Sequence, residues 1–266
     1  MGGKAASGTM IIAQITDTHL VAADVADPVF RARADNLRAC IADINGLDPV
    51  PDAVIHTGDM TQHGQAAEFA HVRSLLAALE MPLYVTPGNR DGRAGVARAF
   101  AGDGYVTADC AFVHYAVEEH PVRLVAMDSL ADGHSKGDLC DGRLAALDAT
   151  LAEAPARPTA LFMHHPPFDV PTAPDPFAYR HRQAVADLAA VVSRHRQVVR
   201  IFAGHMHRPW MATVGGTSAS TVPSVAVDLR KGHYPVAMER RPVYQVHRFE
   251  GDWGFASQTR CPSLSV

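Results

Sequence analysis

An α/β fold built around parallel strands is what this sequence predicts, and three observations predict it. Short apolar runs alternate with amphipathic helical patterns through the first two thirds of the chain. Five of those runs end in a small polar cluster containing Asp, Asn or His. Beyond Trp210 the pattern changes to short strand-like stretches separated by turns. Strand-helix-strand-helix order implies parallel pairing through right-handed crossovers. The β-rich remainder, residues 210–266, is then expected to complete a second sheet. No internal repeat or low-complexity linker divides the chain, so one domain over 10–266 is expected after a flexible N-terminus of 1–9.

Residues 10–16 are apolar enough for a buried strand and end in Asp-Thr-His. Helical spacing follows in 30–47 through Leu37, Ile41 and Ile44. A second strand is expected over 52–57, ending in Gly58-Asp59, and a helix over 68–79 on Phe69, Val72, Leu75, Leu76 and Leu79. The third strand, 83–86, ends in Pro87-Gly88-Asn89. A short helix at 96–100 precedes strands at 110–117 and 123–127, and 144–151 is helical. The strand 159–163 ends in His164-His165-Pro166-Pro167; after a helix at 184–192, the strand 198–202 ends in Gly204-His205-Met206-His207. In the tail, strands are expected at 224–228 and 243–249.

Composition narrows the function classes. A formal net charge of −4 gives no electrostatic footprint for nucleic acid or an anionic membrane. The basic clusters at 31–33 and 194–196 are short, and the second suits the negative end of a helix. Cys40, Cys110, Cys140 and Cys261 form no Cys-x-x-Cys pair, which argues against a zinc knuckle and suits a reducing compartment. The first nine residues lack the apolar core of a secretory signal, and no stretch is long enough to span a bilayer. A cytoplasmic protein is expected.

Asp17, His19, Asp59, Asn89, His164, His205 and His207 each follow directly after an expected strand. The carboxyl ends of parallel strands lie on one edge, where ligands normally bind. Segments distant in sequence therefore bring two carboxylates, one amide oxygen and four imidazoles to one rim, a set that suits two divalent metals better than a single tetrahedral zinc. One Asp-x-His or Gly-Asp alone is as readily a plain turn. Five such elements in order are not.

In this order, Asp17-Thr-His19, Gly58-Asp59, Gly88-Asn89, His164-His165-Pro166 and Gly204-His205-Met206-His207, the sequence resembles the calcineurin-like metallophosphoesterases. Residues 57–64, 163–167 and 204–208 look most like the branch of class III cyclic-nucleotide phosphodiesterases and bacterial glycerophosphodiesterases. The resemblance implies a β-sandwich of two mixed sheets flanked by helices. It implies Asp17, His19 and His207 on a first metal, Asn89, His164 and His205 on a second, and Asp59 bridging. The metals expected are two divalent ions, from manganese, iron, zinc or cobalt. Coordination would turn a shared water into the nucleophile at neutral pH. His165 is expected to stand behind the ligands or to face substrate.

One position departs from that pattern. The element after the third strand is usually Gly-Asn-His-Asp, and here it is Gly88-Asn89-Arg90-Asp91. In relatives that His lies against the scissile phosphate and is held by the Asp, so Asn89, Arg90, Asp91 and His165 are the candidate catalytic residues. Arginine is effectively always protonated: it can hold a phosphate but is a poor proton donor. The expected activity is hydrolysis of small phosphodiesters, cyclic nucleotides or glycerophosphodiesters, with no nucleic-acid or membrane partner and a homodimer as assembly. The alternatives are a phosphomonoesterase or nuclease of the same superfamily, or a non-catalytic metal-binding interaction module.

Overall fold

The computed structural model describes residues 8–251 and 254–263. Of the expected flexible N-terminus, 1–7 lie outside the described residues and Thr9 already opens the first strand. Among the described residues eleven strands, β1 (Thr9–Ile15), β2 (Ala53–His56), β3 (Leu83–Val85), β4 (Tyr115–Val117), β5 (Arg123–Ala126), β6 (Thr159–Phe162), β7 (Val198–Ala203), β8 (Trp210–Val214), β9 (Thr217–Thr221), β10 (Tyr244–Glu250) and β11 (Phe255–Arg260), form two sheets. Their orders are β11-β10-β1-β2-β3 and β4-β5-β6-β7-β9-β8. Within them β1-β2-β3 and β5-β6-β7-β9 run parallel, and the remaining pairs are antiparallel. Both sheets are therefore mixed.

Two sheets arise because the strands bury both faces. Along β5 and β6, Leu124, Ala126, Ala160 and Phe162 belong to the core that also holds Ile12, Ile15 and Val54. The alternate residues Val125, Leu161 and Met163 pack with the helices behind, as the two-residue period of a strand requires. Helices α1 (Pro28–Asn45), α2 (Ala66–Leu76) and α3 (Arg93–Phe100) join the first core through Leu37, Ile44, Val72 and Phe100. Helices α4 (Asp141–Ala152) and α5 (Arg182–Arg194) join the second through Leu147, Leu151 and Leu188. Each such fully buried side chain contributes about 1.5–3 kcal/mol. The helix starts are written locally: Asp27 accepts from the Val29 amide at 2.8 Å with Pro28 in the first turn, and Glu68 closes a capping box with Gln65.

Three sequence expectations need correction. The tail does not go to one sheet: β8 and β9 extend the six-stranded sheet, whereas β10 and β11 extend the five-stranded one, with β10 lying beside β1. The expected strand at 224–228 is a loop, because its amides are already engaged: Val225 and Ala226 donate to the Thr16 and Asp17 carbonyls at 3.0 and 3.4 Å. Of 110–117 only Tyr115–Val117 is strand, since Val113 instead donates its amide to the Asp128 carboxylate at 3.1 Å.

Candidate metal centre

The ends of β1, β2, β3, β6 and β7 converge where the carboxyl edges of the two sheets meet, so the rim is shared by both sheets. Among the described residues, five non-glycine residues have positive φ: Asp17 (53°), His19 (47°), Asp59 (52°), His205 (67°) and His207 (52°). All five were singled out by sequence. Left-handed backbone at a non-glycine residue costs on the order of 1–3 kcal/mol and persists only where the surroundings enforce it. Here the enforcing bonds are Asp17 N–H to Gly58 O and His19 N–H to Asp59 O, both 3.0 Å. At Gly88 a Cβ would lie 2.2 Å from the Asp59 amide nitrogen, so only glycine lets these two loops touch.

Seven side chains then face one another in two overlapping groups. His19 Nε2 and His207 Nε2 are 3.3 Å apart, and His207 Nε2 is 3.2 Å from Asp17 Oδ1. On the other side, His205 Nδ1 is 3.1 Å from Asn89 Oδ1 and 3.2 Å from His164 Nε2. Asp59 Oδ2 stands between them, 3.6 Å from His19 Nε2 and 3.5 Å from His164 Nε2. Asp17, His19 and His207 could hold one cation; Asp17, Asp59 and His164 could hold another. His165 is also within reach of His164 and His205.

The donor set fits a cation. Imidazole nitrogens face one another and carboxylate or amide oxygens at 3.1–3.6 Å, and Asp17 Oδ1 and His19 Nδ1 are buried without a hydrogen-bond partner. Burial would raise the Asp17 carboxyl, but His207, with His19 and His164, holds it well below the usual range. Burial would lower His164, yet the Asp59 carboxylate beside it outweighs this and lifts the imidazole to about 9. Burial and the neighbouring His164 push His205 down to about 3. The carboxylates thus require positive charge at this point.

Supporting bonds fix which nitrogen each imidazole presents. His164 Nδ1 donates to Thr57 O at 2.7 Å and His207 Nδ1 to Leu229 O at 3.0 Å, so Nε2 is the nitrogen that each turns inward. The second oxygens of the carboxylates are anchored as well. Asp17 Oδ2 accepts from Thr16 Oγ1 at 2.8 Å and the His205 amide at 3.0 Å, and Asp59 Oδ1 accepts from the Arg90 amide at 2.7 Å. Sequence reasoning missed Arg33, whose buried guanidinium ties the His19 carbonyl (3.1 Å) to Asp228 (2.6 Å). An Arg in a short basic cluster on a helix carries no signal of its own for such a role.

The remaining candidates separate. Arg90 is exposed, and its side chain has no hydrogen bond or ion pair among the described residues. Asp91 does not reach toward it: its buried carboxylate accepts from the Thr61 amide (2.8 Å), Thr61 Oγ1 (2.9 Å), the Gly88 amide (3.0 Å) and the Met60 amide (3.2 Å). It locks the Asn89 loop to the Asp59 loop. His165 is fully buried, with Nδ1 2.9 Å from Ser129 Oγ and Nε2 3.2 Å from Ser135 O. His56 is buried against Thr18 Oγ1 at 3.2 Å, and His63 is held by Glu68 at 2.7 Å.

Comparisons with known proteins give the family and the fold. The family model described as calcineurin-like phosphoesterase matches residues 10–209. The chain is 31% identical over 268 residues to the probable glycerophosphodiester phosphodiesterase GpdQ of Arcobacter nitrofigilis, covering 94% of this chain and 92% of that protein. It is 35% identical over 241 residues to a probable cyclic nucleotide phosphodiesterase of Rhodopseudomonas palustris, covering 85% and 83%. In fold it is similar to a dimetal phosphatase from Danio rerio, with TM-score 0.68 at 17% identity over 96% of this chain and 99% of that one.

Proposed function

Because this chain belongs to the calcineurin-like phosphoesterase family, we propose that it is a metal-dependent hydrolase of small phosphodiesters, of the cyclic-nucleotide or glycerophosphodiester type. The observation that carries the reading is Asp59 Oδ2, placed within 3.6 Å of a histidine of each half of the cluster. Asp17, His19 and His207 would hold one divalent ion and Asn89, His164 and His205 a second, with Asp59 shared. Oxygen and imidazole donors accept manganese, iron, zinc or cobalt. When bound, such a pair supplies an acidified water as nucleophile and positive charge for the phosphoryl oxygens.

The chain's own residues account for the rest. Arg90, exposed beside Asn89, places a permanent cation where a phosphate oxygen can be held. It brings no proton for the leaving group. His165 does not bring one either: it is buried, and both ring nitrogens are engaged. Asp91 keeps Asn89 in place by joining its loop to that of Asp59. The four free cysteines suit a reducing, cytoplasmic setting.

The test is to strip the protein with a chelator, rebuild it with each metal, and compare kcat/KM for bis-p-nitrophenyl and p-nitrophenyl phosphate. Activity returning with two metals per chain, and favouring the diester, supports the reading. A higher value on the monoester would make the protein a phosphomonoesterase, and full activity after complete chelation would end the metal-dependent reading altogether.

A further inference from the structure

The metal cluster is assembled from two sheets, and something must set the spacing between them at that edge. From β2 come Thr57, Gly58 and Asp59; from β7 come Ala203, Gly204, His205 and His207. The side chain that spans the two is Gln14 of β1, which is fully buried. Its amide nitrogen donates to Thr57 Oγ1 at 3.0 Å and to the Ala203 carbonyl, in the other sheet, at 3.0 Å. Its carbonyl oxygen faces His247 Nε2 of β10 at 3.0 Å, and His247 Nδ1 faces Ser257 Oγ of β11 at 2.8 Å.

Every polar atom of Gln14 is therefore satisfied, and its orientation is settled, because only NH2 can donate to the Ala203 carbonyl. A buried amide in the seam between two apolar sheets is costly unless each of its bonds is made. An apolar residue would fill the same space without that risk, yet the chain has Gln. The residue it grips is the one whose carbonyl accepts from His164 Nδ1 at 2.7 Å. Ala203 immediately precedes the Gly204-His205 turn.

We propose that Gln14 is a positioning residue for the metal centre, bonding the end of β2 to the end of β7 and so fixing the separation between the ligands that the two sheets contribute. Gln14 touches neither metal nor substrate; it acts through Thr57 and Ala203. The inference rests on the metal-binding reading given above. Outer partners of metal ligands are commonly worth 10–100-fold in metal affinity or activity.

Four proteins decide the matter: wild type, Gln14→Leu, Thr57→Val and His247→Phe. Gln14→Leu removes both arms at nearly constant volume. Thr57→Val removes the β2 arm alone and keeps the carbonyl that orients His164. His247→Phe leaves the gripping amide in place while disturbing the same buried cluster. Metal affinity is measured by competition with a chromogenic chelator, and the spacing of the two ions by the exchange-coupled electron paramagnetic resonance signal of the manganese form. Circular dichroism identifies which variants are folded. The expected result is a ten- to hundredfold loss of affinity and an altered coupling in Gln14→Leu. Thr57→Val should show a smaller loss in the same direction, and His247→Phe, which unpairs the Gln14 carbonyl but keeps both arms, should lose clearly less than Gln14→Leu. Wild-type affinity and coupling in folded Gln14→Leu would overturn the proposal. Should Gln14→Leu not fold, the same result in Thr57→Val would do so. Equal losses in Gln14→Leu and His247→Phe would reduce the cluster to ordinary core packing. Wild type that binds no metal would overturn the metal-binding reading itself, a result readily told apart from the others.

Discussion

Asp59 and Asn89 illustrate how much a single side chain decides at this centre. Asp59 Oδ2 approaches both halves, at 3.6 and 3.5 Å, whereas Asn89 Oδ1 lies within 3.2 Å of His164 and His205 only. Asp59→Ala is expected to weaken both metals, and Asn89→Ala mainly the one beside His164; stepwise titration of the metal-free variants distinguishes the two patterns. Arg90 supports a second expectation. Removing a hydrogen bond to a charged group costs about 1.5–3 kcal/mol, so Arg90→Ala should lower kcat/KM on all diesters by roughly tenfold or more with metal content unchanged. Arg90→His adds a group able to lend a proton, worth about 10²–10⁴-fold when well placed. Asp91 is fully occupied elsewhere, so the new imidazole would lack an orienting partner and the gain should fall at the low end. Across diesters of graded leaving-group pKa, alkyl leaving groups should improve relative to aryl ones; an unchanged slope would place the proton source away from position 90.

Elements were legible in proportion to how much of their environment is local. Helices α1, α2, α4 and α5 carry apolar residues at helical spacing and were expected within a few residues of their observed bounds. The strands ending in the candidate ligands were legible too, since two-sided burial leaves a continuous apolar run. β11 was not: its pattern is mostly exposed, and what holds it is its pairing with β10, Phe255 packed against Phe202 and Phe249, and a clip to α1. In that clip Arg260 Nε and NH2 reach Asp43 at 3.1 and 3.0 Å, and Tyr244 Oη donates to Asp43 at 2.6 Å. Burial would raise the Asp43 carboxyl, but Arg260 and Tyr244 outweigh it and hold it below its ordinary value. A depressed folded-state pKa gives stability that is whole above the unfolded value of about 3.9 and is lost as pH falls through the folded one. Wild type should therefore be more stable than Asp43→Asn at pH 7, and the gap should close below about pH 4. Urea midpoints of both proteins across that range check it; a gap that persists in acid would mean the clip acts through packing.

At the scale of the whole molecule, the site's residue types could be read from sequence, but the surface that assembles them could not. Polar residues at strand ends announced a shared rim. That the rim belongs to two sheets depends on which apolar runs pair with which, and pairing across more than a hundred residues leaves no local mark. The same assembly predicts a strong link between metal and stability, because the candidate ligands come together, five of them in left-handed backbone, only in the folded chain. Metal at a hundred times its dissociation constant should add about 2.7 kcal/mol per site, visible as a rise in Tm that chelator reverses; a Tm indifferent to metal would contradict it. The strand order carries one more consequence. β1, made first, lies between β2 and β10, and its partnership with β10 joins Thr9 to Glu250. A ribosome releasing about 5–20 residues per second leaves one edge of β1 bare for some 10–50 seconds, while β2 and β3 are already available. Contacts so distant along the chain also close slowly. During synthesis the nascent polypeptide therefore presents an unpaired apolar strand, and this is the interval in which a chaperone or a neighbouring nascent chain has its best opportunity to bind it.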